Sequence, residues 1–159
     1  MELLRWIDET DFAELIRSSL WLFPTLETIH VIAIGLVVGS IAVVDMRLLG
    51  LAGRNRAISE ISEELLPWTW IAFAAATIFG GLLFLGTPIK YIEMPFFDIK
   101  MLLIALAGIN MLVFEYVTSK AKAEWDNMPT PPTNVRLTGA LSLAFWLSVL
   151  LCGRFIGFV

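Results

Sequence analysis

The chain has 159 residues, of which 58% are hydrophobic and 16% charged, with a mean hydropathy of +0.80; soluble domains average roughly 45–50% apolar and about 25% charged. An ordinary soluble domain is excluded, and at ~20 apolar residues per transmembrane helix there is no room for a separate soluble catalytic domain. A net charge of −4 offers no basic face for nucleic acid, and the one cysteine, Cys152, excludes an intramolecular disulfide.

The N-terminal stretch MELLRWIDETDFAELIRSSLWLF carries charges throughout, unlike a cleavable leader with a basic start and a short apolar core. Leu4, Ile7, Phe12, Leu15 and Ile16 are spaced for one apolar helical face. An amphipathic helix over about 3–18, lying in the headgroup region with Asp11 as its N-cap, is the expectation. Four apolar runs follow, at about 20–44, 65–87, 99–117 and 137–157. The third reaches spanning length if the charges at its ends snorkel. MPTPPTN at 128–134 reads as a stiff turn before the fourth run. The expected fold is all-α: a single transmembrane domain forming a four-helix bundle in the lipid bilayer, with an N-terminal amphipathic helix.

Basic residues in short loops set orientation. Arg47, Arg54, Arg56, Lys120, Lys122 and Arg136 fall on one side; Arg5, Arg17 and Lys90, and also Lys100 and Arg154 if helix ends are counted, fall on the other. This bias leads to the expectation that both termini lie outside the cytoplasm. Trp6, Trp21, Trp68, Trp70 and Trp125 fall near the predicted boundaries, as interfacial aromatics do.

Ionisable groups inside a span are costly and usually face the bundle interior. Glu27, His30, Ile34, Val38, Ile41 and Asp45 recur at three- and four-residue steps, which keeps them on one stripe of the first span. Gly35 and Gly39 fall on roughly the opposite side, a spacing that suits close helix packing. In an up-down-up-down bundle Glu27, His30, Lys100 and Arg154 share one half of the membrane, and Asp45, Arg47 and Glu115 the other. Neutral imidazole is a good ligand for haem iron or copper, and Lys100 and Arg154 suit anionic propionates. Equally, Glu27, His30 and Lys100 could relay protons, or form only structural pairs. Cys152 reads as a small core residue, and Gly80 and Gly81 in the second span as positions where backbone could approach a flat ligand or, more commonly, another helix.

ETIHVIAIGLVVGSIAVVDMRLLGL at 27–51, a glycine-containing second helix and PFFDIKMLL at 95–103 resemble a family of small bacterial four-helix membrane proteins. More distantly they resemble the CopD-like copper-resistance proteins and the HemJ-type protoporphyrinogen oxidases. In those two groups a histidine in an early helix, an arginine just after it and a lysine opening a later helix recur; here the positions are His30, Arg47 and Lys100. The resemblance implies haem b bound through His30 and a lysine needed for activity. The aliphatic GLVVGSIAVVDMR replaces the aromatic-rich stretch that follows the histidine in the HemJ-type proteins, so a haem pocket is implied more than porphyrinogen oxidation. Three readings stand at this stage. The first is a membrane haem b protein serving electron transfer or a haem-dependent redox step, with His30 as the metal ligand and Glu27, Lys100 and Arg154 around the cofactor. The second is a copper-handling or small-ion protein without haem. The third is a structural subunit of a membrane complex. A second copy of the chain or a membrane redox partner is the expected company, and whether the chain is an oxidoreductase stays open.

Overall fold

The computed structural model describes residues 1–118 and 122–158; Lys120, counted above in a loop, lies outside them. Four helices are long and apolar enough to cross a membrane, and no strand occurs among the described residues. They are α3 (Leu22–Leu48), α4 (Ile58–Gly86), α6 (Pro95–Val113) and α8 (Thr133–Ile156), joined by the short α5 (Pro88–Ile92), a π-helical turn (Phe114–Thr118) and α7 (Lys122–Trp125). Two further helices, α1 (Glu2–Asp8) and α2 (Asp11–Ser18), precede them. The protein is therefore read as an integral membrane protein in contact with the lipid bilayer.

The helices extend beyond the apolar runs because polar groups satisfy their ends outside the hydrocarbon. The Ser19 hydroxyl accepts the Leu22 N–H at 3.1 Å and caps α3. At the other end Gly50, with φ +71, is in the left-handed conformation that glycine adopts most easily. The Gly50 N–H then reaches Arg47 O at 3.0 Å and the Leu51 N–H reaches Met46 O at 2.9 Å, the paired bonds of a Schellman ending. α4 begins at Ile58, ahead of the run expected from 65, because its first turn buries Ile58 and Ile61. The loop residue Asp126 supplies acceptors to that turn: its carboxylate takes the Ser59 N–H at 2.8 Å and the Ser59 hydroxyl. Arg56 pairs with Glu60 at 3.0 Å and Glu64 at 2.8 Å along the exposed side. Proline at the first helical position starts α6 at Pro95, so Lys100 lies more than a turn inside the helix instead of opening it.

α3 packs against α4 and α8, and α6 packs against α8. Phe84 stacks on Phe97 with centroids 5.5 Å apart, Phe96 on Phe155 at 5.0 Å, and Tyr91 lies 5.6 Å from Phe97. These rings bring the end of α4, the start of α6 and the end of α8 together at the end that carries both termini, as the alternating topology requires. Phe73 meets Trp146 edge to face between α4 and α8. At the opposite, loop end Leu48, Ile58, Trp125 and Val135 form a core. Trp125 is 2% exposed, a core residue where an interfacial anchor was expected, whereas Trp6, Trp21, Trp68 and Trp70 are exposed. Gly35 and Gly39 meet no side chain within van der Waals range; they line an open apolar groove beside Leu65, Trp68 and Ala72 of α4. They are not a tightly closed packing face within the chain.

The N-terminal segment differs from the single surface helix expected. It breaks at Glu9–Thr10, where Thr10 and not Asp11 is the N-cap, accepting the Ala13 N–H at 3.3 Å. α2 docks on the bundle: Ala13 and Ile16 are buried, the latter against Leu26 and Leu83, while Phe12 and Leu15 of the expected apolar face stay exposed. Arg17 donates to Gly86 O at 3.0 Å and also binds Asp8 and Glu14, satisfying a carbonyl at the end of α4. Gly86 is the seat, since a Cβ there would lie 2.7 Å from Ile16 Cγ2. Gly86→Val is expected to lift α2 from the bundle and lower stability by about 1–3 kcal/mol. Limited proteolysis would register this as faster cleavage between α1 and α3; unchanged protection would contradict it.

Candidate functional site

His30 lies a little over two turns into α3, on the side facing α4. Its Nδ1 is 2.8 Å from Ala76 O. A carbonyl oxygen only accepts, so Nδ1 carries the hydrogen and, in the neutral ring, Nε2 carries the lone pair. Among the described residues Nε2 has no hydrogen-bond partner. The ring fits because residue 80 has no side chain: a Cβ on Gly80 would stand 2.6 Å from His30 Cε1 and 3.0 Å from Nδ1. Gly81, its neighbour, has open space at the same position. One glycine of the pair is therefore a seat for the imidazole and the other is not.

Lys100 on α6 approaches the same region from across the bundle. It is half-buried and within electrostatic reach of His30 and of Cys152 on α8. Its Nζ lies 3.8 Å from where a Cβ on Gly153 would be. Lys100 forms no salt bridge among the described residues. A half-buried ammonium within electrostatic reach of an imidazole with a free lone pair can hold an anionic group near a metal, or exchange a proton with a neighbour.

Of the four residues expected at the site, His30 and Lys100 lie within electrostatic reach of each other. Glu27 is exposed, and with burial it pushes the Tyr91 phenol of α5 up from its ordinary range, burial being the larger cause. Arg154 is exposed in the last turn of α8, its guanidinium 4.3 Å above the Phe158 ring, a cation–π contact. Cys152, taken from sequence as a core residue, is buried and free, and lies within electrostatic reach of Lys100. Its position, two residues before Arg154 and so at the depth of Lys100, was the available signal.

Arg47 occupies a different place. It is 1% exposed, and its Nε donates to Arg56 O at 2.9 Å while Nη2 donates to Met128 O at 3.0 Å. It ties both connections at the loop end to α3. Asp45, 3% exposed, also lies at that end. Among the described residues no group of three His, Cys, Asp or Glu side chains converges as a metal cage would.

No curated protein and no solved structure matches the chain. A family of unknown function, DUF6644, matches residues 5–159. The match runs through the docked N-terminal helices, the His30 and Lys100 region and all four long helices, and the protein belongs to the DUF6644 family.

Proposed function

We propose that the protein is a haem b-binding protein of the bacterial cytoplasmic membrane, with both termini outside the cytoplasm, serving electron transfer or a haem-dependent redox step. One observation carries this reading. The Nδ1–H of His30 is fixed to a backbone carbonyl, the arrangement by which metal-binding histidines are commonly oriented, leaving Nε2 for the metal. A porphyrin supplies four nitrogens of its own, so one protein ligand suffices where no cage of side chains exists. The bound iron would supply a one-electron couple. The chain's own part is to orient the imidazole through Ala76 and Gly80 and to offer the Lys100 ammonium to an anionic propionate. His30 is the only histidine, so ligation by two histidines would require a second copy of the chain. The distant likeness to HemJ-type proteins at His30 and Lys100 supports the same reading, whereas Arg47 is taken up with backbone carbonyls and has no part in it.

Cys152 favours a second reading. A thiol and an imidazole near one ammonium suit copper, whose soft ion takes sulfur and nitrogen ligands, and this agrees with the CopD-like resemblance. Absorption spectra of the pure protein in mild detergent, with metal analysis, separate the two. A Soret band that disappears in His30→Ala is the expected result. No band in wild type, or an unchanged band in the variant, overturns the haem reading. Stoichiometric copper lost on Cys152→Ser would establish the second.

A further inference from the structure

Asp45 lies fifteen residues after His30 on α3, about 22 Å farther along at 1.5 Å per residue. Its carboxyl group is almost wholly enclosed. Ser142 of α8 lies within reach of that carboxyl group. The two helices come close here because Gly139 has no side chain: a Cβ there would lie 2.9 Å from Leu48 Cβ and 3.2 Å from Asp45 O. The second carboxyl oxygen, Oδ2, is fully shielded from solvent and has no hydrogen-bond partner among the described residues.

Among the described residues, charged side chains on the surrounding elements are engaged elsewhere or exposed. Arg47 donates to backbone carbonyls through Nε and Nη2; its Nη1 is buried without a hydrogen-bond partner among the described residues. Glu60 and Glu64 pair with Arg56. Glu63, Glu115 and Arg136 are exposed. An ionised carboxylate has about four lone-pair sites to satisfy and needs several donors or a counter-ion. One hydroxyl within reach does not meet that demand, and an unpaired charge among apolar side chains is costly. The neutral acid removes the larger of these costs, the unpaired charge, and needs fewer partners: its carbonyl oxygen can accept from Ser142, and Oδ2 carries a proton.

We propose that Asp45, with Ser142 in reach across the α3–α8 crossing, is a proton-binding site within the membrane domain, at the opposite end of the bundle from His30. The reaction is the addition of one proton to the carboxylate at Oδ2, with no electron transferred. α3 ends at Leu48, so the proton would be taken up from the loop end. The site does not depend on any cofactor at His30.

Infrared spectroscopy of the full chain in lipid nanodiscs at neutral pH tests this directly. The expected result is a protonated-carboxyl C=O band that moves when aspartate is labelled with 13C at the side-chain carboxyl and vanishes in Asp45→Asn. That variant, which resembles the neutral acid in shape, should keep the helical circular dichroism of the wild type. Absence of the band in wild type overturns the proposal, as does a band that survives in Asp45→Asn. Should Asp45→Asn fail to fold, Asp45→Glu serves instead: a band that becomes insensitive to labelled aspartate supports the site, and one still sensitive to it overturns the site. Failure of the test leaves the His30 reading intact, because the readout involves neither haem nor copper.

Discussion

Gly80→Ala is expected to displace the His30 ring and, on the proposed haem reading, to weaken haem binding by about 10–100-fold, the usual cost of disturbing the groups that orient a metal ligand. The same substitution at Gly81 is expected to do neither. The added methyl at residue 80 would stand 2.6 Å from His30 Cε1, closer than non-bonded carbons approach, so either the ring leaves its seat or α3 and α4 separate. At residue 81 the methyl meets nothing within van der Waals range. The two changes are chemically identical and adjacent, and each replaces a helical glycine by a better helix former. A difference between them therefore reports on the imidazole. Spectra and cofactor content of the two purified variants are the measurement. Equal cofactor content would show that the imidazole seat has no role in binding.

Arg47→Ala is expected to lower stability by about 3–5 kcal/mol, from the lost charge-assisted hydrogen bonds and the carbonyls left unpaired. The guanidinium joins α3 to Arg56 and Met128, and Asp126 in the same connection caps α4, so one truncation loosens three elements. Arg47→Lys should recover only part of the loss, because an ammonium lacks the planar fork that reaches separate acceptors. The exposed Arg136→Ala should stay within about 0.5 kcal/mol of wild type. Thermal unfolding in detergent ranks the variants; Arg47→Ala melting with Arg136→Ala would refute the clamp.

The number and order of spans were legible in the sequence because lipid demands long apolar runs and leaves few other arrangements. Helix ends were less legible. α4 begins at Ile58 because Asp126, distant in sequence, feeds acceptors to its first turn, and no pattern within 58–65 announces that partner. At the candidate site, charges inside apolar runs drew attention to His30 and Lys100, and counting residues assigned Glu27 and Arg154 to the same depth. Depth is set by rise along each helix, whereas facing depends on which neighbour each helix meets. Glu27 and Arg154 are exposed, and Cys152, read as apolar filling, comes within electrostatic reach of Lys100. Gly80 was legible as a small residue but not as a seat, because the ring it accommodates belongs to another helix.

The bond from Arg17 to Gly86 O also constrains how the protein is made. The carbonyl that receives the guanidinium is synthesised 69 residues after the arginine, and the Leu83 surface under Ile16 belongs to the same late segment. During synthesis α1 and α2 emerge before α3 and α4, and their docking surface is incomplete until the α3–α4 hairpin has been threaded into the bilayer. The N-terminal arm therefore waits undocked through the first insertion event and closes afterwards, so that its docking is a late step in assembly.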